Sequence, residues 1–237
     1  KKLFAVTGGS MGGMQVLQFV SNFPNKVQVA IPIACTASHS AQNIAFHEVG
    51  RQAIMSDPAW CNGNYIDKKK RPENGLSVAR MLAHITYLSE EAFQRKFGRN
   101  LQNKLSLAYG FKTDFQVESY LKHQGQAFVD RFDANSYLYI TRAMDYFDLP
   151  SQKKGGLKNI YKDTPVRFCV ISFTSDWVYP TKYSKEIVDS LNAVGANVSF
   201  VEIETDKGHD AFLLDEKEFN ETVRGFLNST ANIMKIN

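Results

Sequence analysis

The chain has 237 residues, with 28 Lys and Arg against 24 Asp and Glu, a formal net charge of +4. Apolar residues make up 43% and charged residues 22%, an ordinary globular balance that excludes a disordered chain. The small charge excess gives no ground for nucleic-acid binding, and no apolar run approaches the roughly 20 residues of a membrane span.

Leu3 to Val6 is a short apolar run that ends in Thr-Gly-Gly, which reads as a buried strand entering a tight turn. Met11 to Asn22 has helical spacing, with Met14, Val16, Leu17 and Val20 on its apolar face, and stops before Pro24. Val27 to Cys35 is apolar enough for a strand buried on both faces, although Pro32 cannot donate to a ladder. From about Ala37 to Gly156 the pattern turns helical: Ser40–Ser56, Gly75–Tyr87, Glu90–Phe97, Phe115–Phe132 and Ser136–Phe147. The basic run Lys68-Lys69-Lys70-Arg71 before Pro72 reads as a solvated loop. Strand–helix alternation resumes with strands Arg167–Phe173 and Val198–Ile203 and helices Thr181–Val194 and Asp215–Leu227. The order predicts an α/β fold: a mostly parallel sheet, residues 1–36 and 157–237, carrying a helical cap insertion over 37–156.

Three widely spaced cysteines, Cys35, Cys61 and Cys169, form neither a disulfide framework nor a CxxC pattern, so a reducing, cytoplasmic compartment is expected. The basic start followed by only four apolar residues is not a signal peptide. Histidines and acids show no metal-ligand spacing, so no metal is expected. His39, His47, His84 and His123, all in the insert, are taken as structural.

Gly8-Gly9-Ser10-Met11-Gly12 matches G-x-S-x-G and falls between a strand and a helix. A serine hydroxyl needs an adjacent base to act as a nucleophile, and a sharp strand-to-helix bend exposes it to one. Gly8 and Gly12 permit close backbone packing there, and the Met11 N–H at the helix start would face a developing oxyanion. A phosphate-binding or merely tight glycine turn is the plainer reading. Nucleophile-elbow enzymes run Ser, acid, His, each after a strand. Asp176 follows the strand ending at Phe173, and His209 follows the strand ending near Ile203. Singly, Asp176 fits a helix cap and His209 a surface histidine. Together with Ser10 they fit a base that takes the serine proton and a carboxylate that holds the base.

The stretches GGSMGGMQ (8–15), ARMLAHITYLSEEAF (79–93), YLKHQGQAFVDRFDANSYLYITRAMDYFD (120–148), FTSDWVYP (173–180) and GHDAFLLD (208–215) carry a resemblance across essentially the whole chain. It resembles the homoserine O-acetyltransferase family of α/β-hydrolase-fold acyltransferases of methionine biosynthesis. That resemblance implies a Ser10 acyl-enzyme formed from acetyl-CoA and transferred to the homoserine hydroxyl, with Asp176 and His209 completing the triad. It implies substrate contacts at Arg80, Tyr87 and Asp210, acetyl-CoA as co-substrate with no bound cofactor, and a homodimer through the cap. Arg131 and Arg142 are expected in structural ion pairs, and the cap aromatics Tyr120, Phe128, Tyr137, Tyr139, Tyr146 and Phe147 mostly in the core. The chain begins at the nucleophile strand, so it is expected to be a C-terminal portion of a family member, impaired alone. The absent part would hold further strands and the loop with the second oxyanion N–H. Rival readings are an ester or thioester hydrolase, transfer of succinyl or to serine, and a non-catalytic remnant.

Overall fold

A computed structural model describes residues 1–235. It contains two compact units, residues 1–38 with 147–235, and residues 39–146. The second was expected to span 37–156. It is shorter because Asp148 and Leu149 pair back onto the chain leaving the sheet: Ser38 bridges Asp148, and the Leu149 N–H donates to the Ala37 carbonyl at 3.0 Å.

The core unit is built on four parallel strands in the order β1 (Leu3–Gly9), β2 (Val27–Ile33), β3 (Arg167–Phe173) and β4 (Val198–Ile203). Strand β2 lies inside the sheet and is buried along nearly its whole length, Pro32 included, opposite Gly8 of β1. Strand β1 was expected to be buried. Among the described residues it pairs with β2 alone, and Leu3 is 50% exposed.

Alternation along the strands sends Val29, Ile31 and Ile33, with Cys169, Ile171 and Phe173, to one face. There they meet Phe219, Val223, Phe226 and Leu227 of the closing helix α9 (Lys217–Ile233). Phe168 points the other way. Its ring meets that of Tyr161, whose hydroxyl donates to the Leu17 carbonyl of α1 (Met11–Asn22) at 3.0 Å. Helix α8 (Thr181–Asn192) buries Ile187 and Leu191 against β3 and β4. Each fully buried side chain of this size contributes about 1.5–3 kcal/mol, so the sheet is the rigid base on which the loops after its strands stand.

The cap unit is helical: α2 (Ala41–Met55), α3 (Glu73–Tyr87), α4 (Glu90–Lys96), α5 (Gln116–Val129) and α6 (Ala134–Asp145). Its core gathers Ile54, Tyr65, Leu76, Ala79, Phe128, Val129 and Ala134. Ser40 caps α2 with a reciprocal box to Asn43, and the Ser89 hydroxyl accepts from the Ala92 N–H to start α4. Helix α6 begins two residues before its expected start because the Asp133 carboxylate caps it, accepting from the Ser136 N–H at 2.7 Å. A short helix α7 (Gly156–Ile160), in the core unit, has too few residues to show periodicity.

Candidate active site

The bend after β1 is strained at one residue. Ser10 has φ 57° and ψ −123°, outside the ordinary regions for an L-residue. Its N–H is held by the Ile33 carbonyl at 2.9 Å, and its carbonyl accepts from Gly13 and Met14 as α1 begins. A Cβ on Gly8 would sit 2.5 Å from the backbone of Gly12, so the fold admits only glycine at position 8. The second glycine that packing demands is Gly13, whose Cβ would come within 2.7 Å of Cys35. A Cβ on Gly12 meets nothing within 4 Å, so the sequence pattern named the wrong partner there. Met11 is the first residue of α1, where a backbone N–H has no acceptor within the helix.

The loops after β3 and β4 are stitched together. Thr174 donates its N–H to Ile203 at 3.0 Å, and the Gly208 N–H donates to the Ser175 hydroxyl at 2.9 Å. Asp176 does not cap α8, which starts at Thr181. One of its oxygens accepts from the Val178 and Tyr179 N–H groups, both at 2.9 Å, and the other lies 2.7 Å from His209 Nδ1. Both side chains are buried, and the His209 ring lies edge-on to Tyr179 at 5.3 Å and Phe212 at 5.7 Å. The Phe212 ring in turn fills the space that a side chain on Gly9 would take, so the histidine loop abuts the bend carrying Ser10. The core unit thus joins Asp176 and His209 directly and sets the loop that carries them against the bend that carries Ser10. Asp210, the next residue, is half-buried. The Ser175 hydroxyl is a contact that sequence reading missed: no motif marks a hydroxyl whose partner is 33 residues away.

Cys35, beneath the bend, does not compete as a nucleophile. Burial, with the nearby Asp176 carboxylate, pushes its thiol up to about 12.

In the cap unit, Arg80 is half-buried on α3, its guanidinium 4.6 Å from the Phe128 ring centre and 5.5 Å from that of Tyr87. Its plainer sequence reading, an exposed helix arginine, does not hold. Arg142 lies 3.9 Å from both Glu48 and Asp145, in ion pairs as expected. Arg131 departs from expectation. It makes no ion pair among the described residues and lies over the Phe128 ring at 5.7 Å. Tyr139 and Tyr146 are 78% and 76% exposed, so they are not core residues.

The cap also buries a polar cluster invisible to spacing. Asp145 lies 2.7 Å from His47 Nδ1 and 3.6 Å from His39 Nδ1, and its other oxygen is 2.7 Å from Arg51. Ligand atoms of His39, His47 and Asp145 lie within 4.8 Å of one another, the one such group among the described residues that could hold a metal ion. Arg51, which also bonds Glu48 at 2.9 Å, already neutralises Asp145, so a dication would meet a guanidinium there. Desolvation lowers both imidazoles, His39 to about 4. His84 is likewise lowered to about 4, by burial and then by Arg80, Lys96 and Arg131. No described helix is long and apolar enough to cross a membrane.

A parallel sheet with a strained serine at the turn into α1, and an Asp–His pair on the loops after the last two strands, defines the class: the α/β hydrolase fold matches residues 1–216, and the chain belongs to that family. Within it, the resemblance read from the motifs holds. The chain is 64% identical over 231 residues to homoserine O-acetyltransferase of Mesorhizobium japonicum, covering 98% of this chain and 59% of that protein. It is 64% identical over 227 residues to homoserine O-acetyltransferase of Pelagibacter ubique, covering 96% and 61%. The chain therefore spans about three-fifths of the length of these curated relatives. Among solved structures, homoserine O-acetyltransferase from Bacillus anthracis superposes with a TM-score of 0.86 at 24% identity, over 96% of this chain and 60% of that one. Esterase E22 superposes at 0.84 and 25% identity, over 95% and 61%.

Proposed function

We propose that this chain carries the nucleophile, base and acid of an acyltransferase that moves an acetyl group from acetyl-CoA to the hydroxyl of homoserine. The observation that carries the reading is the His209–Asp176 contact at 2.7 Å beside a serine held at positive φ on a strand-to-helix bend. The similarity to homoserine O-acetyltransferases supports the choice of substrates.

In this reading the Ser10 Oγ attacks the thioester carbonyl while His209 Nε2 takes its proton. The oxyanion forms against the Met11 N–H at the start of α1. Collapse expels the CoA sulfur, which leaves with the proton from His209, and the acetyl group remains as an ester on Ser10. The homoserine hydroxyl then attacks that ester. His209 takes the hydroxyl proton and returns it to Ser10 Oγ as the product ester departs. Asp176, held by two backbone N–H groups, keeps the proton on His209 Nδ1 and so leaves Nε2 as the base. Arg80 is assigned to the substrate carboxylate, with Tyr87 as a further contact and Asp210 for the ammonium. A guanidinium matches a carboxylate in bidentate fashion. No step calls for a metal. The same reading makes the protein a cytoplasmic homodimer joined through the cap, where Tyr139 and Tyr146 lie bare on and beside α6.

The test is CoA release with acetyl-CoA in the presence and absence of homoserine. Release that depends on homoserine supports transfer, whereas equal release without it supports the hydrolase reading, which the likeness to esterase E22 keeps in view. Ser10→Ala is expected to lower kcat/KM by about 10⁴-fold or more. Activity that survives this change refutes the nucleophile assignment.

A further inference from the structure

Helix α3 carries Arg80, His84 and Tyr87 at i, i+4 and i+7, a spacing that stacks them along one face. The Arg80 guanidinium makes no ion pair among the described residues. Two rings flank it instead, Phe128 at 4.6 Å and Tyr87 at 5.5 Å. Tyr87 is the last residue of α3, and helix ends fray, so its ring needs a brace from outside its own turn.

His84 supplies that brace. Its ring meets Tyr87 edge-on with centres 5.8 Å apart, and meets Tyr120 of α5 edge-on, also at 5.8 Å. Such contacts stabilise beyond the area they bury. The Tyr120 hydroxyl lies 3.2 Å from His84 Nδ1, and the Tyr120 ring packs on Phe97 at 4.8 Å. His84 is 8% exposed, so the imidazole is held from both helices. Its Nε2 makes no hydrogen bond among the described residues. Burying an idle nitrogen costs stability that an aliphatic side chain of similar size would not lose. The ring is also neutral at pH 7: burial, then Arg80, Lys96 and Arg131, lower it to about 4. It therefore adds no charge beside the guanidinium.

We propose that His84 positions the carboxylate site of the acceptor: it fixes the Tyr87 ring, and Tyr87 with Phe128 fixes the plane of Arg80. The inference rests on the assignment of Arg80 to the substrate carboxylate. His84 itself touches no substrate and is a positioning residue. A guanidinium whose plane is fixed can meet a carboxylate with two parallel N–H groups, and one that turns freely forfeits part of that advantage.

The test is NMR titration of the protein with L-homoserine and with L-homoserinol, in which the carboxylate is reduced to an alcohol. Neither reacts without acetyl-CoA, so binding is read directly. The titrations are repeated on Arg80→Gln, His84→Gln and His84→Phe, with circular dichroism to confirm folding. His84→Gln removes the ring and should weaken homoserine about tenfold while leaving homoserinol unchanged. His84→Phe keeps the edge contact and should stay within about threefold. Tyr120→Phe removes only a hydroxyl and should also cost about threefold, which decides the matter if either replacement of His84 unfolds the cap. If the unaltered protein does not bind homoserine, or Arg80→Gln binds it as tightly, the acceptor-site reading falls and this inference with it. If Arg80→Gln loses homoserine but His84→Gln does not, or His84→Gln loses homoserinol by the same factor, His84 is structural only and the acceptor-site reading stands.

Discussion

Each unit buries an aspartate against histidine, and the two do different things with it. Asp176 in the core unit divides its oxygens between one imidazole and two backbone N–H groups. Asp145 in the cap unit faces two imidazoles and two guanidiniums. The first pair stands on loops at the ends of parallel strands, where the main chain supplies the donors and orients the ring. The second sits among helices whose backbone groups are already used, so only side chains can answer its charge. A carboxylate–histidine contact is therefore not in itself a site. In the proposed reading, what would make it one is an element that aims the ring at a reacting group, the bend that carries the strained serine.

This contrast is sharpest in the response to losing the carboxylate. Asp176→Asn keeps the shape but presents an amide to His209 Nδ1, which favours the wrong tautomer. The expected fall in kcat is about 10⁴-fold, with little change in melting temperature. A fall of less than about tenfold would remove the distinction between the two aspartates.

Acid should act on the other unit. His39 is lowered from 6.5 to about 4, chiefly by burial, with His47, Asp145 and Arg51 around it. Below pH 6.5 the unfolded chain then binds protons that the folded cap refuses. Stability is full above that pH, declines as pH falls toward about 4, and levels off below it, with a loss of at most about 3 kcal/mol from this residue. Urea unfolding monitored at several pH values checks this, and His39→Gln should make the decline shallower, leaving the part that His47 and His84 contribute. A flat profile in the unaltered protein would mean that the cluster accepts protons freely.

The smallest effect belongs to the stitch between the two core loops. Ser175→Ala leaves the Gly208 N–H without its acceptor, at a cost of about 1–3 kcal/mol of stability. Because Gly208 precedes His209, kcat should also fall, by about tenfold, with KM nearly constant. A change in stability with kcat intact would make Ser175 a structural residue only.

Much of this was legible in the sequence. Strands β2, β3 and β4 and the longer helices announce themselves by apolar periodicity, and Ser10, Asp176 and His209 by their order after strands. Local reading failed where the deciding partner is remote. Asp133 shifts the start of α6 by capping it two residues before the apolar spacing begins. His47 and Asp145 are 98 residues apart, so no ligand spacing could show them together. Arg131 sits in a stretch rich in acids yet pairs with none of them among the described residues. Gly13 rather than Gly12 is needed at the bend because Cys35, on another strand's end, fills the space.

The φ of 57° at Ser10 has a consequence for anyone wishing to toughen the molecule. A residue in that region stores about 1–3 kcal/mol of backbone strain, and glycine alone escapes it. Ser10→Gly should therefore melt at a higher temperature than the unaltered protein while losing turnover. Directed selection for heat resistance alone would drift toward erasing this serine, and only a screen that also demands product would keep it.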